Sequence, residues 1–110
     1  MEVATTPEEI VAGDVMIRPA EFLVHAGGHP LVLTVREFDL LVALAERTGR
    51  VVTREELYAA VWQQRFRRSE RSVDVYVAKL RQKLEEASPA WKYIHTHFGF
   101  GYRFEPHQLR

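Results

Sequence analysis

Seven basic side chains, Arg65, Arg67, Arg68, Arg71, Lys79, Arg81 and Lys83, fall between positions 62 and 84 against two acids, Glu70 and Asp74. Guanidinium and ammonium groups at that density neutralise phosphate, and such attraction needs no particular sequence in the polyanion. The balancing charge lies elsewhere, because residues 1–40 carry seven acids and two arginines. The chain is formally neutral, yet it is a dipole, and a dipole can set one face on a nucleic acid. Charge alone leaves an alternative open, an ordinary solvated helix face.

Other reactive groupings are incomplete. His95 and His97 share a strand face, a spacing metals use, but no nearby acid or cysteine completes a ligand set, so no metal is expected. Ser69, Ser72 and Ser88 lack the strand–turn–helix elbow of a nucleophile. Gly99-x-Gly101 lacks the strand–helix setting of a phosphate-binding loop. Glu85 and Glu86 read as a solvated helix end, and Asp74 as the partner of a neighbouring arginine rather than a reader of cytosine. Neither an enzyme, nor a cofactor, nor a small-molecule substrate is expected.

At 110 residues the chain has the size of one domain, with 46% apolar and 27% charged residues, a globular composition. The absence of cysteine excludes disulfides and thiolate chemistry and suits a reducing, cytoplasmic compartment. The longest apolar run, near Leu40–Ala45, is far short of the roughly 20 residues that span a bilayer, so no membrane partner is expected. The first residues carry no secretion signal.

The elements that must position the basic residues follow from periodicity. Residues 1–12 read as a leader or linker, 13–106 as the domain and 107–110 as a tail. Alternation from Asp14 to Arg18, then the runs Phe22–Val24 and Leu31–Leu33, predict three short strands, with Gly27-Gly28 as a hairpin turn. Thr34-x-x-Glu37 has the form of a capping box and opens a helix that stops near Gly49. Thr53-x-x-Glu56 opens a second, ending near Trp62. Residues 63–70 read as a basic loop, and Val73, Val77, Leu80 and Leu84 give a third helix, 71–86, one buried stripe. Beyond Ser88-Pro89, aromatic and β-branched residues around Gly99-Phe100-Gly101 predict a closing hairpin. Strands followed by helices make an α+β fold. The second and third helices outline a helix-turn-helix with a long connection, and the third turns Arg71, Ser72, Val75, Tyr76, Ala78, Lys79, Gln82 and Lys83 outward. Such a helix fits a major groove, with Arg67, Arg68 and Arg71 suited to phosphates.

Six runs together resemble a known family: Leu33-Thr34-x-x-Glu37-Phe38-x-Leu40-Leu41; Gly49-Arg50-Val51-Val52-x-Arg54-Glu55-x-Leu57; Val61-Trp62; Arg71-Ser72-Val73-Asp74-Val75-x-Val77-x-x-Leu80-Arg81-x-Lys83-Leu84; Tyr93-Ile94-x-Thr96; and Gly99-x-Gly101-Tyr102-Arg103-Phe104. In order and spacing, over about residues 13–106, they are similar to the OmpR/PhoB family of winged-helix effector domains from bacterial two-component response regulators. The resemblance implies an N-terminal sheet of four strands rather than three, a recognition helix at 71–86 and a wing at 93–104. It implies that Arg71 meets a phosphate, that Ser72 stands where threonine is usual and Tyr76 where histidine is, and that Lys79 and Arg81 lie near bases and phosphates. Thr96 matches a backbone-contacting wing threonine, and Arg103 completes the DNA-facing set. Trp62, Val73, Leu80 and Tyr102 correspond to core. Loop 63–70, with Gln63, Gln64, Arg65 and Phe66, corresponds to the surface offered to RNA polymerase. Two copies forming a dimer on tandem half-sites of double-stranded DNA are implied as well.

One departure stands out. The wing arginine that the family sends into the minor groove is replaced by Phe98, which leaves three roles: packing on the wing, wedging against sugars, or touching a protein. Phe98→Arg is expected to tighten DNA binding. The rival function is a protein-interaction module that keeps the fold and offers its basic face to an acidic partner.

Overall fold

The computed structural model describes residues 9–67 and 70–109. Four strands open the chain: β1 (Ile10–Ala12), β2 (Val15–Arg18), β3 (Leu23–Ala26) and β4 (His29–Pro30), antiparallel and in that spatial order. The register pairs Ile10 with Ile17, Ile17 with Val24, and Val15 with Ala26, so the period-two pattern turns Ala12, Val15, Ile17, Val24 and Ala26 to the core.

Two strand expectations are corrected here. β1 lies in the stretch read as a leader, because three residues before the Gly13-Asp14 turn are too few to display a period. The last strand is His29–Pro30 rather than Leu31–Leu33, because the Gly27-Gly28 turn sets pairing at once, Ala26 opposite His29. Gly27 has φ +60, and a Cβ there would lie 2.5 Å from the Ala87 carbonyl oxygen.

Helix α1 (Val35–Ala45) starts with both halves of its capping box: the Glu37 amide donates to Thr34 Oγ1 at 3.2 Å, and the Thr34 amide donates to Glu37 Oε1 at 2.9 Å. Helix α2 (Arg54–Trp62) has only half of its box. Thr53 Oγ1 accepts from the Glu56 amide at 3.0 Å, but the Glu56 carboxylate turns to Arg50, 2.7 Å away. Between the helices runs β5 (Val51–Val52), unforeseen because two residues carry no period. Helix α3 (Ser72–Ala87) carries the predicted stripe, and β6 (Trp91–His97) with β7 (Gly101–Gln108) forms the hairpin. β7 runs past the expected end of the domain at 106 and pairs with both β5 and β6. A Cβ on Gly101 would run into the Val52 carbonyl, so glycine is what lets β5 close on β7.

The core joins β2 and β3 to all three helices and the hairpin through Ile17, Leu40, Leu41, Leu44, Leu57, Val73, Leu80, Leu84, Ile94 and Phe104. Val73, Leu80 and Tyr102 are buried as expected. Trp62 is only half-buried, held between the Arg36 guanidinium, 5.1 Å from its ring, and Tyr58, stacked at 5.1 Å. Among the described residues no helix is long and apolar enough to cross a membrane.

Candidate nucleic-acid interface

Four sectors divide α3 when residues are placed at about 100° intervals. Val73, Val77, Leu80 and Leu84 form the buried one. On one side of it, Tyr76 meets Trp62 edge-on at 5.6 Å, and Lys83 Nζ donates to Glu37 Oε1 at 2.7 Å. On the other side, Asp74 and Arg81 hold the hairpin. Asp74 Oδ1 accepts from Arg54 Nε at 2.7 Å and from the Tyr102 hydroxyl, while Arg81 Nη2 donates to the Ile94 carbonyl at 3.1 Å and to Thr96 Oγ1 at 2.9 Å. What remains outward is one ridge, Arg71, Val75, Ala78, Lys79 and Gln82, with Glu85 and Glu86 at its later end, all exposed.

Electrostatics fix these braces. Burial works against the charge of Glu37, which is 2% exposed, but Lys83 and the Thr34 amide outweigh it and hold the carboxyl below its ordinary value. Asp74 is likewise opposed by burial and lowered on balance by Tyr102 and Arg54. Burial, and then the same contact, raises Tyr102, and the hydrogen bond to Asp74 raises Arg54. The carboxylates are therefore ionised, and Arg54 and Tyr102 protonated, at neutral pH.

The basic residues singled out in the sequence fall into two groups. Arg67, Arg71 and Lys79 are exposed, and the Lys79 ammonium lies 4.9 Å from the Tyr76 ring centre. Val75 shares their ridge and is 46% exposed. Arg81, Lys83 and Thr96 are half-buried and joined to partners within the domain. Ser72 Oγ donates to Glu70 Oε1 at 3.2 Å at the helix start. Arg103 sits on the opposite face of the hairpin, paired with Glu105 and donating from Nε to His97 Nε2 at 3.1 Å. Arg68, like Ser69, lies outside the described residues.

In the loop, Gln63 ends α2 in the left-handed conformation, φ +57, and Gln64 accepts from the Tyr58 hydroxyl at 3.3 Å. Arg65 is exposed, whereas Phe66 packs edge-on against Tyr58 at 5.7 Å and anchors the loop. His95 Nε2 lies 2.9 Å from the Glu105 carbonyl, and burial lowers its pKa. Among the described residues no three His, Cys, Asp or Glu side chains gather as a metal site.

Sequence reasoning missed Arg54 and Arg36, which brace Asp74 and Trp62. The reading of Asp74 as an arginine's partner was the available signal for the first. It also missed Phe100, which with Phe98 stands free at the hairpin tip, 72% and 87% exposed. That exposure excludes packing on the wing as the role of Phe98.

Comparison with known proteins agrees with this geometry. The family model described as "Transcriptional regulatory protein, C terminal" matches residues 28–104. The alkaline phosphatase synthesis transcriptional regulatory protein PhoP of Bacillus subtilis is 40% identical over 97 residues, which cover 88% of this chain and 40% of that protein. The chain thus spans well under half the length of this relative. The RstA DNA-binding domain of Klebsiella pneumoniae, solved in complex with the RstA box, superposes with a TM-score of 0.82 at 32% identity, covering 92% of this chain and 100% of that one. The response regulator DrrB of Thermotoga maritima, described as an OmpR/PhoB homolog, gives 0.78 at 34% identity, covering 91% of this chain and 45% of the other. With the four-stranded sheet, three helices and closing hairpin in place, the chain belongs to the OmpR/PhoB-type family of transcriptional regulatory protein C-terminal domains.

Proposed function

We propose that this domain binds double-stranded DNA sequence-specifically in a bacterial transcriptional regulator and is not an enzyme. The observation that carries the reading is the divided α3: both flanks are fastened to the rest of the domain, and the ridge Arg71–Val75–Lys79–Gln82 is left outward. An α-helix fits the major groove, where Lys79 can meet guanine acceptors, Gln82 can pair with adenine and Val75 can touch a thymine methyl. Arg71 and Arg67 suit phosphates on either side of the groove. Arg81, Lys83 and Thr96 then serve mainly as positioning residues for the helix and the hairpin. RstA, solved on its own box, supports the same docking.

The loop around Gln63, Gln64 and Arg65, exposed and anchored by Phe66, is the surface we assign to RNA polymerase. Two copies on tandem half-sites about one helical turn apart, in the cytoplasm, complete the proposal. A titration with random duplex tests it. Four phosphate contacts give a log–log salt slope of about −3.6, whereas a slope near zero favours an interaction module for proteins. Selecting duplexes from a random pool with wild type and Lys79→Ala then separates roles: lost preference at particular base pairs places Lys79 on base edges, and uniform weakening places it on phosphate.

A further inference from the structure

The hairpin tip carries a surface that phosphate attraction does not explain. Phe98 and Phe100 flank Gly99 and are 87% and 72% exposed, so two phenyl rings project into solvent from one tight turn. The turn is closed by the Phe100 amide donating to the His97 carbonyl at 2.9 Å. The strand behind it is fastened to α3 by Arg81, through the Ile94 carbonyl and Thr96 Oγ1. The tip is therefore held only a few residues from the helix, about 7–10 Å of strand beyond Thr96.

A pair of apolar rings gains nothing beside phosphates. It gains where the backbone opens onto stacked bases, and the groove next to a helix-filled major groove is the minor groove, roughly 6 Å wide. Aromatic rings there stack on, or wedge between, base pairs and unstack the step. Arg71 and Lys79 are exposed on the outward ridge of the helix that Arg81 ties to this hairpin, and their charge suits a polyanion rather than an apolar protein groove.

Resting on the proposed DNA binding, we infer that Phe98 and Phe100 form an apolar wedge that enters the minor groove beside the recognition site. The wedge unstacks one base step and selects for steps that yield easily. Pyrimidine–purine steps such as TA and CA unstack at least cost, so the wedge adds sequence preference at a position where the chain makes no hydrogen bond to a base.

The test uses the duplex that the wild-type chain selects from a random pool, with 2-aminopurine placed at each flanking position in turn. Binding by wild type is expected to raise the fluorescence of one flanking position several-fold, and the selected pool to carry a pyrimidine–purine step there. In Phe98→Ala/Phe100→Ala both signals vanish, and affinity falls about ten-fold with the salt slope unchanged, since no phosphate contact is lost. Phe98→Trp keeps the signal. A silent probe with normal wild-type binding overturns the wedge and leaves the proposed function standing. An affinity loss confined to duplexes with two half-sites also overturns it and places the rings on a second copy of the chain. Absence of salt-dependent duplex binding by wild type removes both readings.

Discussion

Two carboxylates hold α3 from opposite sides, and they do so in different surroundings. Glu37, on the α1 side, is almost sealed from solvent and receives Lys83 and the amide of Thr34, which caps its own helix. Asp74, on the hairpin side, keeps about a third of its side-chain surface exposed while it receives Arg54 and Tyr102. A charge in a sealed site is costly once its partner is gone, whereas one in contact with water is screened and relaxes. The Glu37 brace therefore bears mainly on stability, and the Asp74 brace mainly on where the helix and hairpin stand relative to each other.

The largest expected effect is on the sealed side. Lys83→Ala leaves the Glu37 carboxylate buried with only the Thr34 amide, and should lower unfolding free energy by about 2–3 kcal/mol in urea denaturation. A loss below about 0.5 kcal/mol would show that water reaches Glu37 and erase the contrast. On the open side, Asp74→Ala should cost about 1 kcal/mol of stability, with duplex affinity falling more than that loss accounts for, because Arg54 and Tyr102 are released together.

A pH series sharpens the comparison. Both carboxyls are held below their ordinary values, so their contribution is complete above the usual carboxylate range near pH 4 and is lost as pH falls through the folded-state values. Stability of the wild type should decline on acidification below about pH 5, and the decline should be shallower in Lys83→Ala. The smallest effect belongs to the ridge. Lys79→Ala should leave the denaturation midpoint within what about 0.5 kcal/mol produces, while weakening binding to a selected duplex roughly ten-fold.

Much of this scaffold is legible in the residues themselves. The 4-3-4 spacing from Val73 to Leu84 announces α3 and its buried side, and two Thr-x-x-Glu boxes mark the helix starts. β1 and β5, with three and two residues, are invisible to any periodicity because pairing with distant strands makes them, not their own pattern. The same holds for the site. Arg71 and Lys79 are outward by helical geometry alone, but Lys83 looks equally free until Glu37, 46 residues away, is brought beside it. Arg81 looks like one more cation in a basic run, and only the fold shows it tied to the hairpin. Phe100 reads as filler between two glycines until its exposure is seen.

One oxygen, Glu37 Oε1, receives both the Thr34 amide and the Lys83 ammonium. The first turn of α1 and the later half of α3 are distant in the chain, but through that atom they share a fate. A fluctuation that frays one loosens the other, so this corner of the domain opens as a single cooperative unit rather than as two independent helix ends.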